Sequence, residues 1–205
     1  IFLVNTRGAN GLFLNRGGMR FEDASDAAGV NFGDRRPSGS ALVDIDGDGD
    51  LDLLVSSMGA PVTLLENDGL GVFTDRSLES GFETSRAGST MTLADIDGDG
   101  DLDIILTQVN GKASLLRNDV ATDNHWVRLQ LKSTPPNPNA IGATVTLLSP
   151  NGQQHRTVMP TRSYLSQVEL PLTFGLGPTE TIQQVTVRWP NGAIEEWNDL
   201  DVDRL

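Results

Sequence analysis

The chain has 205 residues, with 28 acidic side chains against 15 basic ones, two histidines and no cysteine, for a formal charge of −13. That length suffices for one large or two small domains with a buried core, and the missing cysteines exclude disulfide staples and thiolate chemistry. The acidity argues against a nucleic-acid or anionic-membrane surface, and no run approaches the roughly 20 apolar residues of a membrane span.

In chain order, the sequence opens at Ile1 rather than Met and carries no signal peptide, which reads as a processed or excised segment. Phe2-Leu3-Val4 and Gly8 return 51 residues later as Leu53-Leu54-Val55 and Gly59. The opening therefore looks like an incomplete repeat, cut just where its acidic window would have ended. The first complete copy contains DIDGDGDLD at 44–52, and the second contains the identical window at 95–103. The correspondence continues through Leu54-Val55-Ser56 with Ile105-Leu106-Thr107, and through Leu64-Leu65-Glu66-Asn67 with Leu115-Leu116-Arg117-Asn118.

Each copy predicts short strands divided by Gly and Asp: Ala41–Ile45, Leu51–Ser57, Thr63–Glu66 and about Val72–Asp75. Helical periodicity is absent, and a period near 50 with about four strands per unit is the pattern of a propeller blade. Residues 1–123 carry a net charge of −12 and residues 124–205 only −1, so a domain join is expected near Asp123–Asn124. The second part predicts strands at Trp126–Lys132, Ala143–Leu148, Gln154–Met159, Gln167–Leu172, Ile182–Trp189 and Ile194–Trp197, enough for a small sandwich. The expected fold is all-β: incomplete β-propeller-type blades over 1–123 (a partial blade at 1–40, units near 41–91 and 92–123), then a β-sandwich over 124–205.

The two acidic windows carry the chemistry. Alternate carboxylates on a tightly curled loop converge, and a Gly at the sixth position permits the sharp turn. Ca²⁺ takes six to eight oxygens, so Asp44, Asp46, Asp48 and Asp52 are expected to give side-chain oxygens and Asp50 its backbone carbonyl. Asp95, Asp97, Asp99 and Asp103 repeat that set, with Asp101 as the carbonyl donor; the Asp50 and Asp101 side chains are expected to face water. The twelfth loop positions are Val55 and Leu106, so neither window is an EF-hand. A solvated acidic turn is the competing reading, and an identical pair at equivalent repeat positions argues against it. Mg²⁺ fits less well, since it prefers few carboxylates and several waters.

Catalysis finds little support. There is no Gly-x-Ser-x-Gly elbow, His125 reads as a hydrogen-bond partner at the domain join, and His155 lies in a polar surface stretch. Glu22, Asp75 and Glu169 show no pairing in the sequence, while Trp126 and Trp189 read as core rather than as a sugar platform.

DIDGDGDLDLLVSS and DIDGDGDLDIILTQ, each followed by an aliphatic pair and Asn, resemble FG-GAP/VCBS repeats, the calcium-bearing blades of integrin-α-type propellers. Asn124-His125-Trp126-Val127-Arg128-Leu129, Ala140-Ile141-Gly142-Ala143, Ser163-Tyr164-Leu165-Ser166-Gln167, Phe174-Gly175-Leu176-Gly177 and Val187-Arg188-Trp189-Pro190-Asn191-Gly192 resemble the ASPIC/UnbV domain. The combination is similar to the cartilage-acidic-protein family. The resemblance implies a secreted or cell-surface, non-enzymatic, calcium-binding structural or adhesion protein with two Ca²⁺ sites. Two and a half blades cannot close a ring. Either further blades lie outside this segment, or a second copy covers the edges, as a homo-oligomer or a head-to-tail polymer. The alternative function is a module recognising a glycan or protein ligand within a larger secreted propeller.

Overall fold

The computed structural model describes residues 1–31, 36–82, 90–108, 110–120 and 122–205. Its strands are β1 (Phe2–Leu3), β2 (Gly11–Asn15), β3 (Phe21–Asp23), β4 (Pro37–Val43), β5 (Asp52–Ser57), β6 (Ala60–Asn67), β7 (Phe73–Asp75), β8 (Thr90–Ala94), β9 (Asp103–Thr107) and β10 (Ser114–Leu116). They continue as β11 (His125–Leu129), β12 (Thr144–Ser149), β13 (Gly152–Thr157), β14 (Leu172–Gly177), β15 (Ile182–Arg188) and β16 (Ile194–Leu200). The described chain is all-β, in several small sheets with no closed barrel.

The repeats form antiparallel sheets ordered β1-β2-β3, β4-β5-β6-β7 and β10-β9-β8. The middle sheet is buried on both faces. Leu53, Val55 and Leu65 pack with Leu12, Ala28 and Val30 of the opening unit. Leu54, Val62 and Leu64 pack with Met91, Leu93, Ile104 and Leu106 of the following one. This double burial explains why β5, buried at all six positions, runs Leu-Leu-Val without polar alternation. The first strand of that sheet lies four residues earlier than expected, at Pro37 rather than Ala41, and stops at Val43 so that the chain can turn into the acidic loop.

The C-terminal part is a sandwich of the β11–β14 ribbon and the sheet β13-β12-β15-β16, closed around Val127, Val145, Leu147, Phe174, Leu176, Ile182 and Val187. One expected strand is displaced: residues 167–171 are not a strand, and the pairing partner of β11 is Leu172–Gly177. Pro171 has no N–H to give a ladder, whereas Gly175 and Gly177, which weaken a strand on propensity alone, are needed for a close approach to the acidic loop. The segment after β16 returns to β11, with Arg128 N–H donating to the Arg204 carbonyl at 2.9 Å. Among the described residues, no helix is long and apolar enough to cross a membrane.

Candidate metal centres

Each acidic loop joins the first two strands of its unit, β4 to β5 and β8 to β9. The turns need a backbone that L side chains rarely adopt: Gly49 has φ +104° and Gly100 φ +99°. The aspartate at the ninth position of each loop clamps it. Asp52 accepts from Ile45 N–H at 3.0 Å and Asn67 N–H at 2.9 Å. Asp103 does the same with Ile96 at 2.9 Å and Asn118 at 2.8 Å. Both carboxylates are almost wholly buried, so a single side chain ties loop entry to the following strand.

The first three aspartates converge. One carboxylate oxygen from each of Asp44, Asp46 and Asp48 lies within 4.8 Å of the others, and the same holds for Asp95, Asp97 and Asp99. Two oxygens on one Ca²⁺ at about 2.4 Å can be at most that far apart, so three donors per loop are spaced for a single ion. The first cluster also has spare capacity: Asp44 Oδ1 is buried without a hydrogen-bond partner. Buried acceptors left unpaired are costly, and a hard cation satisfies them. The residues therefore fit a divalent ion.

Asp50, Asp52, Asp101 and Asp103 stand outside the two three-oxygen clusters. Asp50 does not face water as expected; it is half-buried, because the turn folds its carboxyl back toward Asn67 and Gly69. Asp101 is half-buried too.

Without an ion, the crowded carboxyls resist ionisation. Burial pushes Asp44 up to about 7 against the stabilising charge of Arg156, with Asp48 and Asp46 adding repulsion. Asp52 rises to about 7 through burial, opposed by its two backbone donors. Burial followed by repulsion from neighbouring aspartates raises Asp50 to about 6 and Asp101 to about 6, and burial likewise raises Asp46 and Asp99.

Both loops sit against the sandwich. Gly175 N–H donates to Asp44 Oδ2 at 3.0 Å, Gly177 N–H to the Gly47 carbonyl at 2.9 Å, and the Asn124 amide to the Asp46 carbonyl at 3.0 Å. At the second loop Arg128, only 7 % exposed, bridges Asp95 Oδ2 at 2.7 Å and Glu169. Glu169 is thus paired, with a partner 41 positions away that no local pattern reveals. The Trp126 indole covers Gly100 so closely that a Cβ there would overlap the ring. His125 pairs through Nδ1 with Asp203 at 2.7 Å, the hydrogen-bonding role expected of it, and His155 lies exposed beside Thr146.

The FG-GAP-like repeat profile matches residues 1–55 and 44–106, which together cover over half of the chain. The chain belongs to the FG-GAP-like repeat family. Residues 133–205 match the family described as ASPIC and UnbV, so these repeats precede an ASPIC/UnbV domain. Cartilage acidic protein 1 of Homo sapiens is 27% identical over 263 aligned positions, covering 97% of this chain and 40% of the relative. The Mus musculus protein of that name is 26% identical, covering 98% and 42%. The Xenopus tropicalis protein is 25% identical, covering 95% and 40%. The chain spans about 40% of the length of the curated relatives it matches.

Proposed function

We propose that this FG-GAP-like chain is a calcium-binding, non-enzymatic structural segment of an extracellular, matrix-type protein. The observation that carries the reading is the pair of three-carboxylate clusters, one of them with an unpartnered buried oxygen at its leading aspartate. In each site the first three aspartates of the loop would hold the ion, with Asp50 and Asp101 contributing carbonyls and Asp52 and Asp103 bracing the loop or adding a further oxygen. The ion supplies positive charge that these crowded side chains otherwise lack. The chain's own residues supply the shape: Gly49 and Gly100 turn the loop, Asp52 and Asp103 clamp its ends, and the β11–β14 ribbon closes over it.

A structural role is supported by how the side chains are used. The two histidines are engaged with Asp203 and Thr146, and each acidic loop is tied to the sandwich by its leading aspartate, Asp44 through Gly175 N–H and Asp95 through Arg128. The relatives' name, cartilage acidic protein, supports an extracellular setting. Among the described residues the outer edge of β10 carries no further strand, unlike β6, whose outer edge holds β7. That open edge supports a finer reading in which strand addition by another copy builds a larger assembly.

The test is thermal melting of Asp46→Ala and Asp97→Ala. Each substitution should lower the melting temperature in millimolar Ca²⁺ and have little effect in chelator, because a saturated site adds on the order of 2.7 kcal/mol at 100 times its dissociation constant. Equal losses in both conditions would remove the metal assignment. Size-exclusion chromatography with Ca²⁺ present tests assembly; a monomer at every concentration would remove that part alone.

A further inference from the structure

The two acidic windows are identical over nine residues, yet their surroundings carry opposite charge at matched places. Fifty-one positions separate Glu66 from Arg117, the equivalent residue of the next repeat. Arg117 Nη1 lies 3.6 Å from Asp97 Oδ2, while its Nε is held by Asp119 at 2.8 Å. Glu66 instead adds its negative charge to that of Asp46, and Arg76, 3.4 Å from Glu66, is shared with Glu79.

The sandwich adds a second asymmetry. Arg128 sits directly on Asp95. That carboxylate is heavily used already, with Gly98 N–H on Oδ1 at 2.7 Å and Gly100 N–H on Oδ2 at 3.1 Å. Asp44, the matching aspartate, takes Gly175 N–H on Oδ2 and keeps Oδ1 free of any partner. Arg156 is close enough to act on Asp44 by its charge, but its Nη2 bonds Gln154 and its guanidinium lies 5.2 Å over the Phe174 ring. Among the described residues, no basic group comes within ion-pair distance of Asp44, Asp46, Asp48, Asp50 or Asp52, whereas two of the five aspartates in the second loop are paired.

We infer that the two loops take up divalent cations unequally, the 44–52 loop first, because arginines already occupy carboxylates of the 95–103 loop. A resident guanidinium repels the incoming ion and uses lone pairs the ion needs, and charge count is what tunes Ca²⁺ affinity in oxygen sites. This inference rests on the calcium reading above. It assigns Arg117 and Arg128 as residues that set affinity rather than as ligands. The second loop, already neutralised in part by Arg128, holds the sandwich by an ion pair at calcium levels that fill only the first.

The experiment is isothermal titration of the chelator-stripped chain with CaCl₂ near neutral pH and at fixed ionic strength. Two steps are expected, separated by at least about tenfold in dissociation constant. Asp46→Asn should abolish the tight step and Asp97→Asn the weak one. Arg117 is exposed and Glu66 partly so, and neither belongs to a core cluster, so charge reversal there leaves the core untouched. Arg117→Glu should tighten the weak step by about threefold or more, and Glu66→Arg should weaken the tight step by a similar factor. Two equal steps, a reversed order in the Asn variants, or affinities indifferent to both reversals would overturn the inference while leaving calcium binding intact. No uptake at all would overturn the calcium reading, and this inference with it.

Discussion

Chelated protein should lose stability as the pH rises from about 4.5 to 7.5, the reverse of what a salt-bridged acidic protein does in that range. The perturbation is proton removal from Asp44, which burial raises from 3.8 to about 7. A carboxyl whose folded value lies above its unfolded one favours the folded state while protonated. Its contribution is complete below about 3.8 and is lost as the pH passes through about 7. A displacement of that size corresponds to about 4 kcal/mol at most from Asp44, and Asp50, Asp52 and Asp101, also raised by burial, act in the same direction. For a chain of this length, 1 kcal/mol moves the midpoint by about 2–4 °C, so the melting temperature in chelator should fall by roughly 10 °C across the window. Asp23 and Asp68, whose carboxyls are lowered by hydrogen bonds from Ser25 and from Val72 and Leu70, act in the opposite sense, but below the unfolded value of 3.8 and so outside the window. Saturating Ca²⁺ should restore the loss near pH 7.5 and do little near pH 5, where protons hold the ligands. The assay is differential scanning fluorimetry at matched ionic strength, with Asp44→Asn as the control, since its side chain at 44 cannot titrate and its slope should be shallower than the wild type's while Asp50, Asp52 and Asp101 still contribute. A chelated wild-type midpoint that rises or stays level with pH would refute the reasoning.

Two further predictions concern how the loops are held. Gly175→Ala places a Cβ onto Asp44 Oδ2 and 2.6 Å from the Gly47 carbonyl oxygen, backbone that cannot swing aside, so about 1–3 kcal/mol of stability should be lost by urea titration. Trp126 fluorescence should report opening of the neighbouring contact, and an unchanged midpoint would show that the loop and ribbon are not packed as described. Phe174→Ala empties a side chain that is fully buried in the sandwich and should cost about 3–5 kcal/mol, with or without Ca²⁺. A loss confined to the calcium-loaded protein would instead tie that core to the metal centres.

Much of this architecture was readable in one dimension. A repeat period, alternating aspartates and a sixth-position Gly are all local, because a nine-residue turn brings its own donors together without help from distant chain. The two clusters at Asp44-Asp46-Asp48 and Asp95-Asp97-Asp99 were legible for that reason. Strand positions were readable where apolar runs are bounded by turn residues, as at β5 and β15, and failed at β14. There the strand contains two glycines whose value lies wholly in what they approach.

Tertiary structure alone decided the rest. Gly175 meets Asp44 across 131 positions, and Arg128 meets Asp95 across 33. Neither spacing follows any periodicity, since the contacts exist only because a separate sandwich is laid over the loops. Composition determined that the chain would be acidic, and residue order that much of the acid would gather in two turns. Which carboxylates are buried, which already hold an arginine and which are left with an unpaired oxygen depend on long-range packing, because burial and Coulomb energy are set by distance in space rather than along the chain.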